Sequence, residues 1–60
     1  MTKVVAPQTL QYGDLVELSG QAWVVKGIEG PDTTGAWDLY LTDGSAARHE
    51  VVTETVTLVY

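Results

Sequence analysis

Residues Ala36 to Val52 alternate apolar and polar side chains around an Asp43-Gly44 turn, the pattern of a β-hairpin. Side chains on a strand point to opposite faces with period two, so Trp37, Leu39 and Leu41 share one face and Asp38, Tyr40 and Thr42 the other. One face is a core and the other is wet. A two-residue loop would group Leu39 and Leu41 with Arg48 and leave His49 and Val51 beside Asp38. A loop of Thr42-Asp43-Gly44, with Gly44 left-handed, instead gathers Trp37, Leu39, Ala47, His49 and Val51 on one side and sets Asp38 opposite Arg48. The second register is the expected one.

The remaining chain supplies few partners for this hairpin. Sixty residues make one domain, and a domain of that size buries only about 60% of the surface its unfolded chain exposes. With no cysteine and one histidine, neither a disulfide nor a structural zinc is available as a staple. Nine valines and eight threonines favour strands, and 45% hydrophobic content is too apolar for a disordered chain. The formal charge of -5 repels phosphate, which argues against nucleic acid as a partner. No stretch approaches the roughly 18 apolar residues of a membrane span, and Met1-Thr2-Lys3 does not open a signal peptide. A cytoplasmic location is expected, with the lack of cysteine in keeping with a reducing compartment.

Read along the chain, residues 1–11 form an arm or loop containing Pro7, expected to be flexible. Gly13 to Leu18 is a short strand, Ser19-Gly20 a turn, and Ala22 to Glu29 its antiparallel successor. In that successor Trp23 and Val25 lie on one face and Val24 and Ile28 on the other, and Gly27 offers the bulge that would reconcile them. Gly30 to Gly35 is a polar loop. After the hairpin, Thr53-Glu54-Thr55 allows one turn of 3-10 helix before a final strand, Val56 to Tyr60. The expected fold is all-β: a small five-stranded barrel spanning residues 1–60, with a one-turn 3-10 helix before its last strand.

Two strands, a loop, a Gly-turned hairpin, a one-turn helix and a last strand resemble the order of parts in SH3-like barrels. The Gly13-Asp14-Leu15-Val16 opening, Ser19-Gly20 and Trp23-Val24-Val25 are similar to small stand-alone SH3-like proteins of bacteria and phages. The resemblance covers Tyr12 to Tyr60 and implies an accessory, protein-binding role. The Ala-Leu-Tyr-Asp-Tyr opening and paired tryptophans of Pro-binding SH3 domains are missing, so that ligand is not implied.

His49, as the one histidine, is the first candidate for a general base, but the expected register places it inside near Trp37 as a structural residue. Ser19 and Ser45 sit in turns without a nucleophile elbow. Glu29, Asp32, Asp38 and Asp43 match no calcium loop and are read as a solvated face, so no metal or other cofactor is expected. Trp37 goes to the core with Leu39 and Leu41. Tyr12, Trp23, Tyr40 and Tyr60 remain as partner-binding candidates, because a small barrel hides few large rings and Trp and Tyr are enriched at hot spots. In a plainer alternative, Trp23 caps one open end of the barrel. The resulting expectation is a non-enzymatic interaction module binding a host or self partner through exposed aromatics. Alternatives are a structural homo-oligomer joined through the sheet face or the apolar terminal strand, unless that strand is already paired with the N-terminal segment, and an acidic mimic of nucleic acid.

Overall fold

A computed structural model describes all 60 residues. It contains strands β1 (Thr2–Val5), β2 (Leu15–Leu18), β3 (Gln21–Glu29), β4 (Trp37–Thr42), β5 (Ala47–Val52) and β6 (Val56–Val59), with one 3-10 turn at Pro7–Thr9. The strands form one antiparallel sheet in the order β1-β6-β2-β3-β4-β5. The sheet bends around a core but does not close, so β1 and β5 are its edges. The all-β expectation holds. The chain has six strands rather than five, and the sheet stays open where a barrel was expected.

The sixth strand comes from the N-terminal segment expected as an arm. Thr2–Val5 pairs along β6, Val5 packs on the core, and Met1 and Tyr60 exchange main-chain hydrogen bonds. β6 therefore lies between β1 and β2, and the terminal strand is not the free edge an oligomer would use. The 3-10 turn is also displaced. It forms where Pro7, already fixed in φ, opens the turn and buries its ring, and Leu10 follows into the core. Thr53 and Glu54 form only a bend.

The core is Leu10, Val16, Trp23, Val25, Leu39, Leu41 and Val56, with Val5, Leu18, Ile28, Val52 and Leu58 packed against it. Ser19 and Gly20, both at positive φ, close the β2–β3 hairpin as a two-residue loop. A bulge falls between Val25 and Gly27, where the pairing passes from Val25 opposite Leu41 to Gly27 opposite Tyr40. One extra residue reverses the parity. Trp23 and Val25 thus face the core before the bulge and Ile28 after it, as the two-sided apolar pattern required.

The β4–β5 register differs from the expected one. Thr42 pairs with Ala47 and Tyr40 with His49, leaving a four-residue loop, Asp43 to Ala46. Asp43 Oδ1 accepts hydrogen bonds from Ser45 N at 2.9 Å, Ser45 Oγ at 3.1 Å and Ala46 N at 2.7 Å. One carboxylate therefore organises two residues more than the Asp-Gly pair alone. Cross-strand partners share a face, so Arg48 and Glu50 point inward with Leu41 and Leu39. His49 points outward with Tyr40, and Asp38 stands opposite Val51 rather than Arg48.

Asp32 does the same work in the β3–β4 loop, its Oδ1 accepting from Thr34 N, Thr34 Oγ1 and Ala36 N. Both carboxyls are held below the ordinary aspartate value. The Thr34 hydroxyl is the foremost cause at Asp32, and the Ser45 N–H at Asp43. A depressed folded pKa contributes stability that is present above the unfolded pKa and lost as pH falls through the folded one. The unfolding temperature should therefore hold above about pH 5 and fall progressively below about pH 4. Joint Asp32→Asn and Asp43→Asn substitution keeps an oxygen acceptor in each loop and should flatten that acid slope in circular dichroism melts; an unchanged slope would refute the assignment.

Candidate functional site

The outer face of β3, β4 and β5 carries the one organised group of exposed aromatic and ionisable side chains. At its centre Tyr40 stands on β4 between Gly27 and His49, its register partners on β3 and β5. The Tyr40 ring stands over Gly27, where an added Cβ would meet Tyr40 Cδ2 at 3.6 Å, an ordinary contact distance. On the other side the Tyr40 and His49 rings stack at 4.9 Å with planes 6° apart. His49 Nε2 lies 2.8 Å from Asp38 Oδ1, which fixes the imidazole's orientation. Tyr40 is 39% exposed, so the stack is held on the surface rather than hidden.

The next row toward the hairpin turn holds Thr42 and Ala47, two small residues beside two standing rings. The step between them is an open depression of about 450 Å³, reached also by Lys26. Lys26 is the extra residue of the bulge. Its ammonium lies 2.9 Å from the Tyr12 hydroxyl and 5.0 Å from that ring's centre. Tyr12 reaches this place because its turn is pinned to β3: Gly13 N donates to Val25 O, and Val25 N donates to Asp14 O. At 72% exposure the ring is open to contact.

Glu29 and Asp38 stand directly opposite each other in the row beyond Tyr40, an unfavourable like-charge pair. His49 partners one of them. Hydrogen bonding toward Glu29, then desolvation, then the charges of Glu29 and Asp38 raise the Tyr40 hydroxyl above its ordinary value of 10.0. Tyr40 therefore stays neutral and a hydrogen-bond donor across the physiological range.

Of the four aromatic candidates, the structure brings two together. Tyr40 lines the depression that Lys26 also lines, and Lys26 is bonded to Tyr12, whereas Tyr60 sits on the β1–β6 side, with Lys3 Nζ 5.4 Å from its ring centre. Trp23 is a core residue, only 7% exposed, because the parity before the bulge turns it inward. It therefore offers a partner little surface, against the expectation of a contact ring. Trp37 is half-buried at the end of the inner face, opposite Val52.

His49 and Lys26 belong to the site without having been expected there. The bulge at Gly27 was a signal for Lys26; for His49 the signal was the even-loop register. No group of three or more His, Cys, Asp or Glu side chains is placed to hold a metal ion. No helix is long and apolar enough to cross a membrane. No protein-family model matches this chain, nor does any curated protein or solved structure.

Proposed function

We propose that this chain is a non-enzymatic protein-interaction module whose contact surface is the outer face of β3–β5 around Tyr40, His49, Lys26 and Tyr12. The observation that carries this reading is the Tyr40–His49 stack, two rings locked parallel at the surface beside an open depression. Rigid aromatic rings bury large area at low entropic cost when a partner covers them. From β2 to β6 the order of strands is compatible with that of the SH3-like proteins named above, without the one-turn helix before β6 and with β1 added at one edge. We read the fold as an opened member of that architecture, and an accessory role follows from the same resemblance.

Capture from a host lysate tests the reading, with Tyr40→Ala as the comparison and circular dichroism confirming that both proteins are folded. Truncating a contact ring should weaken recovery of a specific partner by at least tenfold. Equal recovery by the two proteins would refute the surface. Tyr60→Ala, on the far side of the sheet, should leave recovery unchanged.

A further inference from the structure

The free edge of β5 has a property that the interaction surface does not use. Its residues read Ala47-Arg48-His49-Glu50-Val51, which is self-complementary about His49. Arg48 and Glu50 point to the inner face, with side chains 34% and 30% exposed, and Ala47, His49 and Val51 point outward. Arg48 is held in place from two sides. Its guanidinium lies 5.4 Å from the Trp23 ring centre, and Nε and Nη2 both donate to Glu50 Oε1, at 3.1 and 2.9 Å.

We propose that β5 pairs antiparallel with β5 of a second copy, on a two-fold axis at His49, to give a continuous twelve-stranded sheet. β5 is hydrogen-bonded to β4 alone, so one row of its main-chain groups is free to template a strand. In the His49-centred register, Arg48 stands opposite the partner's Glu50, and Glu50 opposite the partner's Arg48. Ala47 meets the partner's Val51 on the outer face. Directly opposed side chains on one face are about 4.5–5.5 Å apart at Cβ, close enough for the four charges to form one network.

Charge also rejects the neighbouring alignments. A slip by two residues sets Arg48 against Arg48 or Glu50 against Glu50. A slip by one turns one sheet over and puts inner-face residues against outer-face ones. Inward-pointing charges are a usual means of blocking edge association, and an apolar strand would desolvate the Arg48–Glu50 pair without adding a partner to either. A copy of β5 satisfies them. The two-fold arrangement is isologous and closed, so it stops at a dimer. It would also join the two outer faces into one aromatic row: Tyr40, His49, the partner's His49 and the partner's Tyr40.

Sedimentation velocity on the full chain, from about 10 µM to about 1 mM, should show a monomer–dimer equilibrium. Arg48→Glu and Glu50→Arg, each alone, place like charges across the axis twice and should weaken the dimer at least tenfold. An equimolar mixture of the two variants should associate again, because one chain then offers two acids where the other offers two bases. Loss of the intrachain Arg48–Glu50 pair cannot produce that recovery.

A wild type that stays monomeric throughout, or a mixture no more associated than its components, overturns the proposal. Growth beyond a dimer also overturns it, since that signals head-to-tail pairing of β5 with β1. Should a variant fail to fold, wild-type chain mixed with Ala47→Cys carrying a nitroxide decides: the label must broaden Val51 resonances of the unlabelled copy, and no broadening refutes the register. The aromatic contact surface is tested separately, because Tyr40→Ala leaves β5 pairing intact.

Discussion

Trp23→Ala should remove a third or more of the fold's stability. Trp23 packs with Val16, Val25, Leu39 and Leu41 and is 7% exposed, so its removal opens a cavity at the centre of the core. Truncating a buried Trp costs about 3–5 kcal/mol. A domain of 60 residues has a total stability of roughly 3–9 kcal/mol. The loss is thus comparable with everything the fold has. Trp23→Phe separates packing from polarity: the Trp23 indole N–H is buried without a hydrogen-bond partner, and phenylalanine removes that donor while keeping a ring. An orphaned buried donor costs about 1–3 kcal/mol, which offsets the area lost. Guanidinium melts should place Trp23→Phe near the wild type and Trp23→Ala far below it. A Trp23→Ala chain as stable as the wild type would show that the ring is not a core residue.

How much of this was legible in the sequence follows from which interactions are local. The β2–β3 hairpin could be read because Ser19-Gly20 and its flanking strands specify a two-residue turn within a few residues. The bulge could be read because Trp23, Val25 and Ile28 cannot all face inward on a straight strand. The β4–β5 register could not be read from the glycine alone. It depends on how many main-chain groups the Asp43 carboxylate collects, and that side chain reaches Ser45 and Ala46. A one-residue error in loop length turned His49 from the inner face to the outer one and concealed its stack with Tyr40. β1 was legible only as an alternative to a flexible arm, for a different reason. Thr2–Val5 has little pattern of its own and becomes a strand through β6, more than fifty residues away. Tyr12 and Tyr40 could be named from residue type, but their meeting at Lys26 needs both the bulge and the turn pinned to Val25.

Charge is arranged in this molecule so that the unfavourable pair, across β3 and β4, and the favourable one, along β5, sit on opposite faces of the sheet. Glu29 and Asp38 face each other outside, relieved by Tyr40 and His49. Arg48 and Glu50 lie inside at the edge, already paired with each other. The outer group thereby holds two rings still, and the inner group keeps an exposed strand selective about what it accepts. Both arrangements depend on β4 entering the sheet at the right residue, and hence on the loop before it.

Gly30→Ala should destabilise the fold by about 2–5 kcal/mol, combining backbone strain with overpacking. Gly30 has φ +139°, a conformation L residues rarely adopt, and a Cβ there would lie 3.0 Å from Ala36 O, 3.1 Å from Trp37 Cε3 and 3.2 Å from Trp37 Cα. Two of those three atoms are main chain. They cannot yield alone, because Ala36 O already accepts from Asp32 N at 2.9 Å and Ala36 N donates to Asp32 Oδ1 at 3.0 Å. The natural control is Gly35→Ala in the same loop, where φ is +85° but nothing lies within 4 Å of the added carbon. It should cost only the left-handed backbone penalty of about 1–2 kcal/mol. The difference between the two variants in chemical denaturation therefore measures the steric part together with the greater backbone strain at φ +139°. Because Trp37 opens β4, the Gly30 variant should also shift the amide resonances of Asp38 and His49, whereas Gly35→Ala should leave them in place. Equal costs for the two glycines would show that the approach of Gly30 to Trp37 does not position β4.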